Sequence, residues 1–252
     1  ISNEHIDVEE FYNLLPVFIK KFITVVFHHK DCIVLVRDDF TKKVIEFSCD
    51  SSNKESIINT GCPSVLAINI KFAKTKLKRN LLRIKNKPTA LIGGLAGSNS
   101  NLIRKNSILI VQEPHELIDG FYDLNEEIGP SFPFYKDLYN FLKDSKKIFM
   151  PLTKKQWLKR IRKSHSNLYV GTRMHGSIVA LTCGIPGILL SNDVRVTNHC
   201  KLFYYPHNPG SGEPIESFFN KIIYHDWDET FLRIENKQLL FKKNWKIFKN
   251  KF

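Results

Sequence analysis

Residues 167–197, NLYVGTRMHGSIVALTCGIPGILLSNDVRVT, decide the fold. Asn167–Val170 ends in apolar β-formers, and Gly171 breaks the run. Thr172 follows as a good N-cap, which predicts a helix from Arg173 to about Cys183. Gly184 stands at the expected C′ position, with Pro186 just past it. Ile185–Leu190 is a short apolar run suited to a strand buried on both faces. Strand, helix and strand make one βαβ unit, and such a unit implies a parallel sheet.

The chemistry of this stretch lies at the helix entrance. The spacing puts Arg173 at N1 and His175 at N3, beside the backbone N–H groups that lack intrahelical partners. A helix start with spare donors and a guanidinium is an anion site. Each charge-assisted bond there contributes about 1.5–3 kcal/mol, and the helix dipole adds about 0.3–1 kcal/mol. Asp193-Val194-Arg195 falls just after the next strand. In an open α/β sheet both segments would lie at the carboxyl ends of neighbouring strands, where ligands bind.

Working outward, five strands are predicted at 88–92, 107–111, 147–150, 167–170 and 185–190, with helices between them. That pattern is a doubly wound, Rossmann-like parallel sheet. Upstream, an apolar-periodic helix is expected from Glu9 to about His28, with Phe11, Leu14, Leu15, Phe18, Ile19 and Phe22 on one side. A buried strand, Cys32–Val36, follows, and Arg37 stands at its carboxyl end; Asp39 or Thr41 is the expected cap of a helix over Lys42–Phe47. Arg37 reads equally as a ligand group and as a surface residue paired with Asp38 or Asp39. Gly61-Cys62-Pro63-Ser64 is a turn, and Phe72–Lys87 is a basic linker or helix. The glycine loop Gly93–Ser98 could cradle a phosphate, but it matches no phosphate-binding fingerprint and reads better as a tight or mobile turn. Glu113 and His115 sit at a strand end, although a turn leading into a helix explains them as well. Helices are expected over 115–123, 135–143 and Lys154–Lys163, the last with Trp157, Leu158 and Ile161 inward. His199–Asn208 reads as a loop with packed aromatics, Lys221–Tyr224 as a short strand, and Trp227–Ile247 as one or two amphipathic helices.

The chain has 252 residues and a formal net charge of +13. The excess is spread over Lys74–Lys87, Lys146–Lys163 and Lys237–Lys251, which describes several solvated faces rather than one nucleic-acid groove. No nucleic-acid partner is expected. A peripheral membrane contact fits the basic C-terminal helices. No apolar run is long enough to span a bilayer, and no signal peptide is evident. Five cysteines without a C-x-x-C pair argue against a disulfide framework and against structural zinc, and fit a reducing cytoplasm.

Gly171-Thr172-Arg173-Met174-His175-Gly176, then Gly184-Ile185-Pro186, then Asp193-Val194-Arg195, resembles the polysaccharide pyruvyl transferase family in motif and spacing. Val36-Arg37-Asp38-Asp39-Phe40-Thr41 is similar to that family's Arg-Asp-x-x-Ser/Thr segment, and Gly61-Cys62-Pro63-Ser64 to a Gly-Cys-Pro turn found in part of it. The resemblance implies a two-domain, glycosyltransferase-B-like architecture with the site in the cleft between the domains. The family's early Asn-x-Gly-Asp loop is absent, so most of the first domain is expected to be lacking. The expected division is a partial N-terminal α/β domain (1–64), a Rossmann-like domain carrying the donor site (65–215) and C-terminal helices packing back on the body (216–252).

The implied reaction moves a carboxyvinyl group from phosphoenolpyruvate to a sugar of a surface polysaccharide or its lipid-linked precursor, closing a pyruvate ketal and releasing phosphate. It implies Arg37, Arg173, Arg195 and Gly176 as the donor site and His175 as the acid/base, with no metal and no cofactor beyond the donor. Cytoplasmic location, or the inner face of the membrane, goes with it. Two other readings stand beside it. One is a nucleotide-sugar glycosyltransferase, for whose ribose grip Glu213 and Glu216 are the available carboxylates. The other is a non-catalytic anion-binding module.

Overall fold

Proline 16 makes the first break. In the computed structural model, which describes residues 7–28, 32–48, 51–93, 107–110, 147–190, 193–208 and 218–251, helix α1 (Val8–Leu14) ends where the Leu15 N–H turns back to the Tyr12 carbonyl. Helix α2 (Val17–His28) starts afresh after Pro16. The single helix expected over 9–28 is therefore two, because proline cannot continue the hydrogen-bond ladder. The restart also changes which face is buried. Ile23 and Phe27, with Ile19 beside them, pack on a small sheet, whereas Leu14, Phe18 and Phe22 are exposed.

That sheet pairs β1 (Val34–Val36) in parallel with β2 (Ile57–Asn59), aligning Val36 with Asn59. Between them runs α3 (Asp39–Phe47). Its cap is Asp38, not Asp39 or Thr41: Asp38 accepts from the Thr41 N–H at 2.7 Å and from the Thr41 hydroxyl at 3.0 Å. A two-carboxylate run offers either position as a cap, and the extended backbone at Asp38 (φ −150°) selects the first. A 3₁₀ turn, Pro63–Ala67, leads into α4 (Ile70–Asn86), capped by Asn69.

The larger sheet contains β3 (Ala90–Gly93), β4 (Ser107–Ile110), β5 (Ile148–Phe149), β6 (Leu168–Gly171) and β7 (Gly187–Leu189). Every pairing is parallel, and the order is β5-β4-β3-β6-β7. Chain order runs outward from β3 to one edge and then returns to build the other edge from β6. This is the doubly wound, Rossmann-like α/β pattern, with its reversal between β3 and β6. Helix α5 (Lys154–Lys163) is capped by Thr153 and buries Ile161, as the sequence pattern predicts. Helix α6 (Met174–Thr182) joins β6 to β7, and Gly184 follows in the left-handed region at φ +72°. A side chain at Gly184 would collide with Lys76 and the Ala73 carbonyl of α4, so both backbone angle and space require glycine.

Two segments differ from expectation. Residues 194–203 form helix α7 (Val194–Phe203), capped by Asp193, so the first half of the loop expected over His199–Asn208 is helical. Residues 219–223 form helix α8 (Phe219–Ile223), not a strand; Phe218 and Ile222 bury on the large core. A four-residue apolar run carries no period that separates the two states. Helix α9 (Trp227–Lys251) is a single helix. Among the described residues no helix is long and apolar enough to cross a membrane. The expected helices at 115–123 and 135–143, together with Ala96–Ser98, Glu113, His115, Glu213 and Glu216, lie outside the described residues.

Two apolar cores result. The small one holds Ile23, Phe27, Val36 and Ile57; the large one begins at Cys62 and takes in the five-stranded sheet and α9. The start of the large sheet is tied by one amide. Fully buried Asn167 accepts from the Thr89 N–H at 2.9 Å and donates to the Lys87 carbonyl at 2.8 Å. Asn167→Ala strands both backbone groups. It should lower unfolding free energy by about 2–4 kcal/mol in urea titrations, whereas Leu152→Ala, at 77% exposure, should change it by less than about 0.5 kcal/mol.

Candidate active site

The reversal between β3 and β6 sets where a ligand can sit. Gly93 and Gly171 are paired at the carboxyl ends of these strands. Neither position has room for a side chain, because a Cβ at either would meet the Tyr169 hydroxyl. Tyr169, fully buried, uses that hydroxyl to donate to the Arg173 carbonyl at 2.8 Å. The same carbonyl accepts the first helical bond of α6, from the Ser177 N–H at 3.4 Å. The Thr172 N–H donates to the Gly93 carbonyl at 2.9 Å. The start of α6 is thus pinned to both strands.

Thr172 is not the cap: Arg173 (φ −100°, ψ 114°) takes the N-cap position, without a side-chain capping bond, while the Thr172 N–H bonds to β3. Arg173 moves from the expected N1 to N-cap, and His175 from N3 to N2, with Gly176 buried at N3. Arg173 is half-buried and His175 exposed, so the first turn of α6 carries its imidazole outward at the switch point.

A second sheet edge reaches the same place. After β2, Asn59 holds a tight turn: its side-chain oxygen accepts from the Gly61 N–H at 3.0 Å, and its amide donates to Asp39 at 2.8 Å. Gly61 is left-handed at φ +71° and lies against the ring of Phe203 of α7. Cys62 follows as the cap residue of the 3₁₀ turn. Its sulfur lies 3.7 Å from His175 Nε2, a contact between residues 113 apart in sequence. The carboxyl edges of the two parallel sheets therefore meet at Cys62 and His175.

Burial by itself would push the Cys62 thiol up. The His175 hydrogen bond and the Ser64 hydroxyl and N–H outweigh it, and the thiol comes down to about 7 from its ordinary 9.0. Cys62 appears in the sequence as part of the Gly-Cys-Pro turn but not as a site residue. The one sign that could have marked it is its place directly after a strand, the same place Arg173 holds after β6.

The remaining candidates stand as follows. Arg37 is exposed directly after β1, on the same sheet edge as Cys62. Asp38 is engaged in capping and Asp39 accepts from Asn59, so both neighbouring carboxylates have other partners. Arg195, in the first turn of α7, folds back on Asp193 with Nη2 to Oδ2 at 2.7 Å, and its side chain is 81% exposed. That hydrogen bond holds the Asp193 carboxyl below the usual carboxylate range, against the opposite pull of burial. The pair is an exposed one, worth about 0–1 kcal/mol. Of the aromatics at 204–205, Tyr205 is buried edge-on to Trp227, whereas Tyr204 stacks on His225 at the surface. Among the described residues no group of three His, Cys, Asp or Glu side chains is placed to hold a metal.

Comparison with known proteins gives one family. The sequence model described as polysaccharide pyruvyl transferase matches residues 13–194. Among curated proteins nothing matches. Among solved structures, HepE (Alr3699) of Anabaena, in complex with UDP and glucose, is similar at 11% identity and a TM-score of 0.37, covering 88% of this chain and 62% of that one. L-tryptophan dehydrogenase from Nostoc punctiforme is similar at 12% identity and a TM-score of 0.22, covering 93% of this chain and 64% of that one. The chain spans less than two thirds of either structure's length, and neither likeness is close enough to bear on function.

Behind the site, His199 of α7 is buried against Phe203. Burial first, and then the charge of His175, lower it to about 3 from 6.5. A folded value below the unfolded one means that the stability His199 contributes is complete above pH 6.5 and is lost as pH falls toward 3. Lowering the pH from 7 to 5 should cost about 2 kcal/mol through this residue alone. Urea titrations at the two pH values should show that difference shrinking by the same amount in His199→Phe.

Proposed function

The chain belongs to the polysaccharide pyruvyl transferase family, and from that premise we propose that it moves a pyruvyl group from phosphoenolpyruvate to a sugar of a surface polysaccharide or its lipid-linked precursor. The observation that carries the reading is the start of α6. Arg173 and His175 stand there in the first turn of the helix, at the switch point of a parallel sheet, faced by the edge of a second sheet.

The donor carries a carboxylate and a phosphate on three carbons. Arg173 would grip one of these groups with its planar fork, and the N–H groups at the start of α6, including that of buried Gly176, would add charge-assisted bonds. Arg37, exposed on the opposing edge, would take the other anionic group. Arg195 would join only by leaving Asp193, a modest cost for an exposed pair.

In the reaction, His175 would give a proton to the methylene carbon of the enol, leaving C2 cationic. A sugar hydroxyl attacks C2 and its proton goes to the imidazole. Phosphate leaves C2, and a second hydroxyl adds to close the ketal. One proton enters the methyl group and the two hydroxyl protons return to the imidazole and the departing phosphate, so atoms and charge balance without metal or redox cofactor. Removing such an acid/base costs about 10²–10⁴ in rate. The same reading includes a cytoplasmic location and a peripheral contact with the inner face of the membrane, where a lipid-linked acceptor would be met.

Thermal unfolding of the full chain with phosphoenolpyruvate, and separately with a nucleotide sugar, tests the proposal. Phosphoenolpyruvate should raise the midpoint, and Arg173→Ala should weaken its apparent affinity about 10- to 100-fold. Stabilisation by the nucleotide sugar alone would assign the site to glycosyl transfer. Stabilisation by phosphate, with no consumption of phosphoenolpyruvate in the presence of acceptor oligosaccharides, would make the chain an anion-binding module.

A further inference from the structure

We propose that Cys62 is the positioning residue for His175: its sulfur holds the Nε2 side of the ring, carries the negative charge that a protonated imidazole needs beside it, and leaves Nδ1 to meet the substrate. The role of the imidazole rests on the pyruvyl-transfer reading; the pair itself does not.

His175 is in the first turn of α6, with Arg173 two residues away at the cap. An acid/base on so short a reach is held in place by whatever touches its ring. The groups that face Cys62 and His175 can be named element by element. From the turn itself, Ser64 offers its hydroxyl and N–H to the sulfur. From α6 come His175 and the cap residue Arg173. From α7, His199 is buried and held neutral, and Arg195 is engaged by Asp193. From α9, Lys237 donates to the Asn59 carbonyl, three residues before the cysteine, at 2.8 Å. Asp39 and Lys42 of α3 are the charges that face Lys237 in turn. Among the described residues, the side-chain atom in contact with the imidazole that can take a full negative charge is the Cys62 sulfur, at 3.7 Å.

The accessibility of the two groups divides their roles. Cys62 is 2% exposed, while His175 is exposed. A sulfur so enclosed is poorly placed to attack a substrate carbon but well placed to orient a ring from behind, the part that a buried carboxylate plays behind a histidine in hydrolytic triads. Everything around the sulfur fixes it. Gly61 is locked against Phe203, Asn59 holds the turn, and Gln238 of α9 donates to the Val65 and Ile68 carbonyls at 2.9 and 3.0 Å.

The proton count is simple. The thiol proton passes to Nε2, giving thiolate and imidazolium. Nδ1–H is then given to the substrate, leaving a neutral ring with its remaining proton on Nε2, bonded to sulfur. The proton released by the attacking hydroxyl returns to Nδ1. The sulfur stays ionised throughout, and no electron changes hands.

The test begins without substrate. Ultraviolet thiolate absorbance of the full chain, taken as the difference from Cys62→Ser, should show one thiolate forming with a midpoint near 7. In His175→Gln that midpoint should rise, because burial is then opposed by Ser64 alone. A Cys62 midpoint that does not move when His175 is replaced overturns the proposal, whatever the activity. Since His175 is exposed, its replacement reports on the pair without disturbing the core. In turnover, Cys62→Ser should lower kcat at least about tenfold with little change in KM for phosphoenolpyruvate and a shifted acid limb, and Cys62→Asp should recover part of the loss. A His175-dependent thiolate in a chain that never consumes phosphoenolpyruvate upholds the pair and removes the pyruvyl reading. Equal kcat and pH profile in Cys62→Ser and parent overturns the positioning role.

Discussion

The site depends on the hydrogen bond from the Tyr169 hydroxyl to the Arg173 carbonyl. A tyrosine on a fully buried strand must find a partner for its hydroxyl. Here the partner is the cap carbonyl of the next helix, two residues past the end of the strand. For the ring to reach it, Gly93 and Gly171 must both lack side chains, since each lies against the Tyr169 hydroxyl. The glycine at the end of β6 therefore serves clearance for an aromatic pillar as well as breaking the strand. The pillar fixes the rotation of α6 about its axis at the first turn, and so decides that His175 points toward the turn after β2 while Gly176 is buried.

Much of this was readable from residues 167–197. Glycine and proline punctuation gave the βαβ unit, and the order of apolar runs gave a doubly wound sheet. Lys154–Lys163 was legible to the residue because its amphipathic period is regular. What failed did so for local reasons. Pro16 restarted the helical period, so the apolar face read across it was the wrong one. Thr172 is a better intrinsic cap than Arg173, yet Arg173 takes the position while the Thr172 N–H bonds to β3. Asp193-Val194-Arg195 looked like a loop at a strand end, yet Asp193 caps a helix and draws Arg195 onto itself.

The pairing of Cys62 with His175 could not be read from the sequence, for a different reason. It joins positions 113 apart through two sheets whose relative placement no local pattern encodes. What the sequence does contain is two turns that the structure places at the carboxyl ends of parallel strands, although only the strand before the second was legible. Since ligands gather at carboxyl ends of parallel strands, two such turns in one chain are candidates to face each other. The residue types in them, a thiol in one and an imidazole beside a guanidinium in the other, are complementary in charge.

Helix α9 explains why that meeting is firm. The two cores are separate, one ending at Ile57 and the other beginning at Cys62, so the short segment between them would be a natural hinge. Yet α9, whose own apolar side (Trp227, Phe231, Ile234) is buried in the large core, reaches across with Lys237 to the Asn59 carbonyl and with Gln238 to the Val65 and Ile68 carbonyls. These carbonyls flank Cys62 on both sides in sequence. Two long polar side chains from one rigid helix thus hold the segment that a hinge would have to bend. Desolvation lowers the Lys237 ammonium from its ordinary value, with Asp39 pulling the other way. The small sheet is in this way coupled to the large one by backbone acceptors rather than by apolar packing. Such a coupling keeps a sulfur within reach of an imidazole while leaving the space in front of the imidazole open, which is what a site for a small, highly charged acid requires.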